Sequence, residues 1–388
     1  MLSKNALEII KKRLSIKKYP TADRNASFGR LIFNAIPYLI SCRGYSCCPL
    51  SVFIHVNTDC NLKCKMCDAG QQDKASMFYK NLVGGQTGIM ALEDFKKIID
   101  KIKHFKPFIG IPATEPLMYP HIIQAIEYIR AQDLRCSIAT NGTFLESMAE
   151  DIIGAGLTKL VVSLDGPPDI HDLIRGVKGT YQKVLRGIRK LEELKIKKHS
   201  QEPYVYINYV ICEDNYSTII DFIEGFPLDI VKQVDFRVMF YCTDDIAGKH
   251  NKIFGEKYDA TSACLSGGIN LDKVDTDILH EQITKVTRQH GKICTFFFNH
   301  GRDGLRRYYH EPEMFLDATR CVFPWYTMQI NTDGSVIPPQ RCYHNVFGNI
   351  LTQDFNEVWN GEKMRAFRRD LRKYGRFPAC TRCEGVNF

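Results

Sequence analysis

Past residue 50, short apolar runs alternate with longer stretches whose apolar positions recur every three or four residues. Ser51–Asn57 (SVFIHVN) is β-rich, and Ala91–Phe105 sets Leu92, Phe95, Ile98, Ile99 and Ile102 at helical spacing, the pattern of a helix with one buried stripe. The rhythm continues through strands at Pro107–Ile111, Leu134–Thr140, Lys159–Asp165, Tyr204–Cys212 and Val234–Tyr241. Helices are expected between them at His121–Ala131, Phe144–Ala155, Tyr181–Leu194 and Tyr216–Glu224. Such alternation implies right-handed βαβ units and a parallel sheet. Six strands are legible, and the sequence after residue 242 does not supply the two more that a full eight-unit barrel needs.

The flanks follow other patterns. Residues 1–50 open on Leu7, Ile9, Ile10 and Leu14 among lysines, an amphipathic helix expected to pack on the protein itself, a membrane interface being the other option. Residues 243–315 carry the weakest periodicity and read as a bridging region. In residues 316–388, Thr327–Asn331 and Val336–Ile337 flank an Asp333-Gly334 turn, a β-hairpin, and Phe355–Lys373 reads as one helix. The predicted divisions are therefore 1–50, 51–242, 243–315 and 316–388.

Size and composition fit a globular protein larger than one small core: 388 residues, 44% hydrophobic and 25% charged. The net charge of +8 is mild and its lysines and arginines are scattered, so no nucleic-acid partner is expected. The apolar stretch Leu31–Ser41 is too short for a bilayer and contains Pro37. Fifteen cysteines without a signal-peptide pattern point to reduced thiols, metal ligation and a cytoplasmic location.

The thiols are clustered. Asp59–Asp68 (DCNLKCKMCD) spaces Cys60, Cys64 and Cys67 as C-x3-C-x2-C. Three thiolates can face one soft metal centre, iron–sulfur or zinc, and leave one corner open for chemistry. Near the other end Cys321, Cys342, Cys380 and Cys383 bracket the hairpin and the helix. Four thiolates close a coordination shell, which suits a structural or electron-transfer centre, again zinc or iron–sulfur.

C-x3-C-x2-C directly after an apolar strand resembles the signature of the radical S-adenosylmethionine (SAM) superfamily. That resemblance implies a partial (β/α)6 TIM-like barrel and a 4Fe–4S cluster on Cys60, Cys64 and Cys67, with SAM on the fourth iron. It also implies reductive cleavage of SAM to a 5'-deoxyadenosyl radical that abstracts hydrogen. Site residues carry over motif by motif. Ala113-Thr114-Glu115-Pro116 resembles the family's Gly-Gly-Glu-Pro with both glycines replaced, which leaves Glu115 for SAM's amino group. Asn141 of Thr140-Asn141-Gly142, and Ser163 and Asp165 of Ser163-Leu164-Asp165-Gly166, match SAM-contacting turns; Arg175 matches an arginine that grips SAM's carboxylate. Met66 resembles the apolar residue near adenine. Asn208, polar in an apolar strand, must bond to SAM or to a neighbour.

The C-terminal segment resembles the SPASM/twitch extension, a small hairpin-plus-helix domain for an auxiliary 4Fe–4S cluster. Pro339 stands where relatives carry a cysteine, and Cys342 is taken as its substitute. Cys242, at the end of the sixth strand beside Tyr241, is a hydrogen-donor candidate. The expected substrate is a small metabolite (a sugar, aminocyclitol or nucleotide), with peptide or lipid as alternatives and flavodoxin or ferredoxin as the reducing partner. A non-catalytic zinc or iron–sulfur binding protein is the rival of another class.

Overall fold

The computed structural model describes residues 36–39, 43–83, 88–112, 114–298, 300–316, 320–338 and 343–383. The predicted leading helix, Ala113 and Cys342 lie outside the described residues. One sheet runs through the molecule. In chain order its strands are β1 Ser51–Ile54, β2 Phe108–Ile111, β3 Cys136–Thr140, β4 Lys159–Ser163 and β5 Tyr204–Ile211. β6 Gln233–Val238, β7 Cys294–Phe296, β8 Thr327–Ile330, β9 Ser335–Ile337 and β10 Gly348–Asn349 follow. The spatial order is β10-β9-β8-β1-β2-β3-β4-β5-β6-β7, an open sheet.

The alternation rule finds the first six strands, but the parallel array does not stop there. β7 adds in parallel to β6, and β8 adds in parallel to β1, so eight neighbouring strands run the same way. The expectation that nothing after residue 242 supplies two more is thus corrected. β7 has three residues, too few to show a period, and β8 is legible only as half of a hairpin. The hairpin prediction itself holds: β9 pairs antiparallel with β8, turned at Gly334 with φ +81.

Alternation along each strand divides the sheet's faces. In β5, Val205, Ile207, Tyr209 and Ile211 are buried in the apolar core, whereas Tyr204, Tyr206, Asn208 and Val210 are half-buried on the inner face. The apolar face packs under helices Leu92–Ile102, Ile122–Ala131, Leu145–Gly154 and Thr180–Lys197. Burying each large aliphatic side chain there contributes roughly 1.5–3 kcal/mol. The inner face is polar in rows set by register: Ser163 lies beside Asn208, Asn208 beside Asp235, and Asp235 beside Thr295. Phe53 also lies there, and Gly110 makes room for it, since a Cβ at that position would overlap the ring.

Two predicted elements differ in detail. The single helix at Phe355–Lys373 is two, Phe355–Trp359 and Glu362–Tyr374, because Gly361 is extended (ψ 162) and starts the second. Arg368 on the second is fully buried; it donates to Trp359 O (2.8 Å), Pro324 O (2.9 Å) and Gly44 O (3.2 Å), and stacks on Trp359. The bridging region is well structured, with helices Asp244–Phe254, Thr276–His290 and Gly301–His310 around β7. Among the described residues no helix is long and apolar enough to cross a membrane.

Candidate functional site

The loop after β1 is held from three sides. Lys65 N donates to Ile174 O (2.9 Å), at the end of helix Pro168–Arg175. The next turn, Gly176, has φ +72, and a Cβ there would sit 2.8 Å from Lys63 O, so only glycine fits this close crossing. Lys65 Nζ pairs with Glu213 (2.5 Å) and Asp214 (2.8 Å) after β5. The third clamp is Asp68, fully buried, which accepts from Cys264 N (2.9 Å), Ser266 Oγ (2.8 Å) and Ser76 Oγ. Two of those donors belong to the bridging region, whose link to this loop no pattern in the sequence announces. Asp68 closes the cysteine motif and was legible only as its last letter.

Each sulfur has its own N–H donor. Asn141 Nδ2 lies 3.9 Å from Cys60 Sγ, Arg175 Nη1 3.6 Å from Cys64 Sγ, and Gly70 N 3.5 Å from Cys67 Sγ. Burial pushes the Cys60 thiol up to about 12 and the Cys67 thiol to about 11, and the Cys64 sulfur adds to both. Among the described residues no three His, Cys, Asp or Glu side chains converge to metal-ligand geometry. Cysteine ligands give up their protons on binding metal, and binding itself completes such sites. The donor set nevertheless fits a 4Fe–4S cluster: three soft sulfurs within eight residues of chain, each supported by an N–H of the kind that tunes cluster sulfurs.

The turns expected to hold SAM surround this loop, and their side chains are engaged with one another. Glu115 is fully buried and accepts from Thr140 Oγ1 (2.6 Å), Asn141 N (2.6 Å) and Leu117 N (3.0 Å). Burial pushes its carboxyl up, and those three donors oppose the rise. Its backbone N donates to Asp59 O (3.0 Å), so it joins the β2 and β3 turns to the cysteine loop. Asn141 also donates to Asn61 Oδ1 (2.8 Å). Asp165, fully buried, accepts from Val210 N (2.9 Å) and pairs with Arg175 Nη2 (2.5 Å). Desolvation works against the Arg175 charge, but Asp165 and then Cys64 keep the guanidinium firmly protonated.

Ser163 ends β4 beside Asn208, and Asn208 Oδ1 accepts from Arg237 Nε (3.1 Å). The Arg237 guanidinium lies 3.9 Å over the Phe297 ring. Sequence reading missed this inner-face pair, because a lone Arg in an apolar strand shows nothing of what it faces. Met66 is half-buried and packs against the core.

At the other end Cys321, Cys380 and Cys383 share one neighbourhood. Burial, and after it Cys380 and Cys383, push Cys321 up to about 12. Tyr343 Oη lies 2.8 Å from Cys380 Sγ. Arg382, between the last two cysteines and nearly inaccessible, donates to Tyr308 O (2.8 Å), Glu311 O (2.7 Å) and Tyr241 Oη (3.3 Å), which ties the segment to the end of β6. Cys242 is fully buried, its Sγ 3.7 Å from Thr243 O, and Cys380 adds to the burial that lifts it to about 12. Cys242 therefore lies near Cys380 of the C-terminal segment.

Residues 54–224 match the model of the radical SAM superfamily, and residues 321–384 match that of an iron–sulfur cluster-binding domain, SPASM. The Fe-coproporphyrin III synthase of Methanosarcina barkeri is 25% identical over 345 residues, 84% of this chain and 79% of that one. The pre-heme d1 synthase of Dinoroseobacter shibae is 28% identical over 338 residues, 83% of this chain and 76% of that one. Against several AdoMet-dependent heme synthases the match spans 38–41% of their length. Streptococcus suis SuiB bound to S-adenosylmethionine shares the fold with a TM-score of 0.59 at 17% identity, over 95% of this chain and 78% of that one.

Proposed function

Because this chain is a radical SAM protein that ends in a SPASM domain, with 4Fe–4S clusters and SAM as its cofactors, we propose that Cys60, Cys64 and Cys67 hold the SAM-binding cluster and that the enzyme takes hydrogen from an aromatic, carboxylate-bearing small molecule of the porphyrin kind. Bound at that loop, cluster and SAM supply one-electron reductive cleavage and, from it, hydrogen abstraction from an unactivated C–H bond. The chain's own residues position and shield. Glu115 and Asn141 fix the loop's rim, and the bridging segment 264–270 covers its far side and keeps water out. Cys321, Cys380 and Cys383, with Cys342 as the expected fourth thiolate, hold the auxiliary cluster in an electron-transfer role.

The observation that carries the substrate class is Arg237, stacked on Phe297 and steadied by Asn208 on the inner face, in line with the expected SAM contacts. Phe53 shares that half-buried inner face. Rings beside fixed cations suit a flat acid better than a sugar or aminocyclitol. Two relatives whose matches cover 84% and 83% of this chain are named for coproporphyrin and heme products, in keeping with that chemistry.

Anaerobic reconstitution with iron and sulfide, then reduction with SAM present, tests the reading. It expects 5'-deoxyadenosine by mass spectrometry, several-fold more with coproporphyrin III added, and none from Cys64→Ala. A colourless zinc protein, or product formation that survives Cys64→Ala, would refute the catalytic assignment. Stimulation by a sugar phosphate but not by the porphyrin would refute the substrate class.

A further inference from the structure

The geometry points to Arg175 as a positioning residue that sets the reduction potential of the centre on Cys64, with Asp165 as its counterweight; this rests on the assignment of Cys60, Cys64 and Cys67 as cluster ligands. Three independent features deliver the guanidinium. Helix Pro168–Arg175 ends against the cysteine loop through Lys65 N to Ile174 O (2.9 Å) and the glycine-only crossing at Gly176. Arg175 Nη1 then reaches Cys64 Sγ (3.6 Å), while Nη2 pairs with Asp165 (2.5 Å). Both partners lie out of water, Asp165 at 0% and Arg175 at 11% side-chain exposure, so solvent and salt screen their charges little.

Such an arrangement has a direction. Adding one electron makes an iron–sulfur centre more negative, and a cation donating N–H to a ligand sulfur stabilises the reduced form more than the oxidised form. The carboxylate behind the arginine acts the other way and moderates the effect. One charge-assisted hydrogen bond is the size of about a tenfold change in the reduction equilibrium, about 59 mV for one electron.

The test is an EPR-monitored redox titration of the full reconstituted chain, following the reduced-cluster signal that changes when SAM is added. Arg175→Gln is expected to make reduction about tenfold less favourable, Arg175→Lys to recover most of that loss, and Asp165→Asn to make it more favourable. Opposite shifts from the two neighbours are what general loosening of the site cannot produce. If Arg175→Gln fails to load a cluster, Asp165→Asn decides alone: a rise supports the inference and an unchanged or lowered potential overturns it. Unchanged potentials in variants with full clusters refute only this inference. A wild-type chain without any SAM-responsive signal refutes the ligand assignment beneath it as well.

Discussion

Replacing Glu115 tests whether the rim of the site is held by its carboxylate. Three donors converge on it at 2.6–3.0 Å, and two of them are the backbone N–H groups of Leu117 and Asn141, in turns with no strand to pair with. Glu115→Ala strands both amides in a buried place, at roughly 1–3 kcal/mol each, and opens a small cavity. Thr140 suffers less, because its hydroxyl still accepts from Gly142 N (2.9 Å). The sum is about 4 kcal/mol, or a fall in melting temperature on the order of 10 °C for a domain of this size. Glu115→Gln keeps one acceptor oxygen but turns an NH2 group towards a donor, for about half that loss. Differential scanning fluorimetry of the apoprotein reads both, and SAM binding by the reconstituted protein is measured beside them. A melting temperature within a degree or two of wild type in Glu115→Ala, with SAM binding abolished, would refute the structural clasp and return Glu115 to a pure ligand role.

Gly176→Ala meets both a left-handed backbone and Lys63 O at 2.8 Å, so it is expected to cost about 2 kcal/mol and to lower iron per chain after reconstitution, by colorimetric assay. Buried His171 accepts from Asp165 N (3.1 Å), and burial, then Arg175, holds its pKa well below 6.5. Its neutral form is the folded one, so its contribution to stability is complete above about pH 6.5 and is lost as pH falls towards the folded pKa. The loss is about 1.4 kcal/mol per pH unit, and the difference between wild type and His171→Asn in urea unfolding at several pH values checks it. Cys380→Ala should remove about half of the bound iron and leave the SAM-responsive EPR signal in place. Loss of both signals together would show that the two centres are not independent.

The auxiliary segment and the barrel are less separable than a division at residue 316 suggests. β8 pairs directly with β1, whose end carries the first cysteines, and Arg382 binds Tyr241 and the helix Gly301–His310. A strand that serves as both hairpin arm and sheet neighbour makes one rigid connection between the two cysteine groups.

What the sequence determined by itself is local and periodic. Alternating apolar residues place β1 through β6 to within a few residues, and the spacing of Cys60, Cys64 and Cys67 names a soft, three-thiolate chemistry before any fold is known. Tertiary structure alone decided the rest. β7 is too short to leave a period, the break at Gly361 depends on how the flanking helices pack, and β8 reveals its parallel partner only in space. The same holds for Asp68 with Cys264, Arg175 with Cys64, and Arg237 with Phe297. Periodicity reports which face of an element is dry, because that is a free energy each residue feels by itself. A pairing between residues far apart in sequence is fixed by where the folded backbone brings two side chains, and no single stretch of chain contains that information.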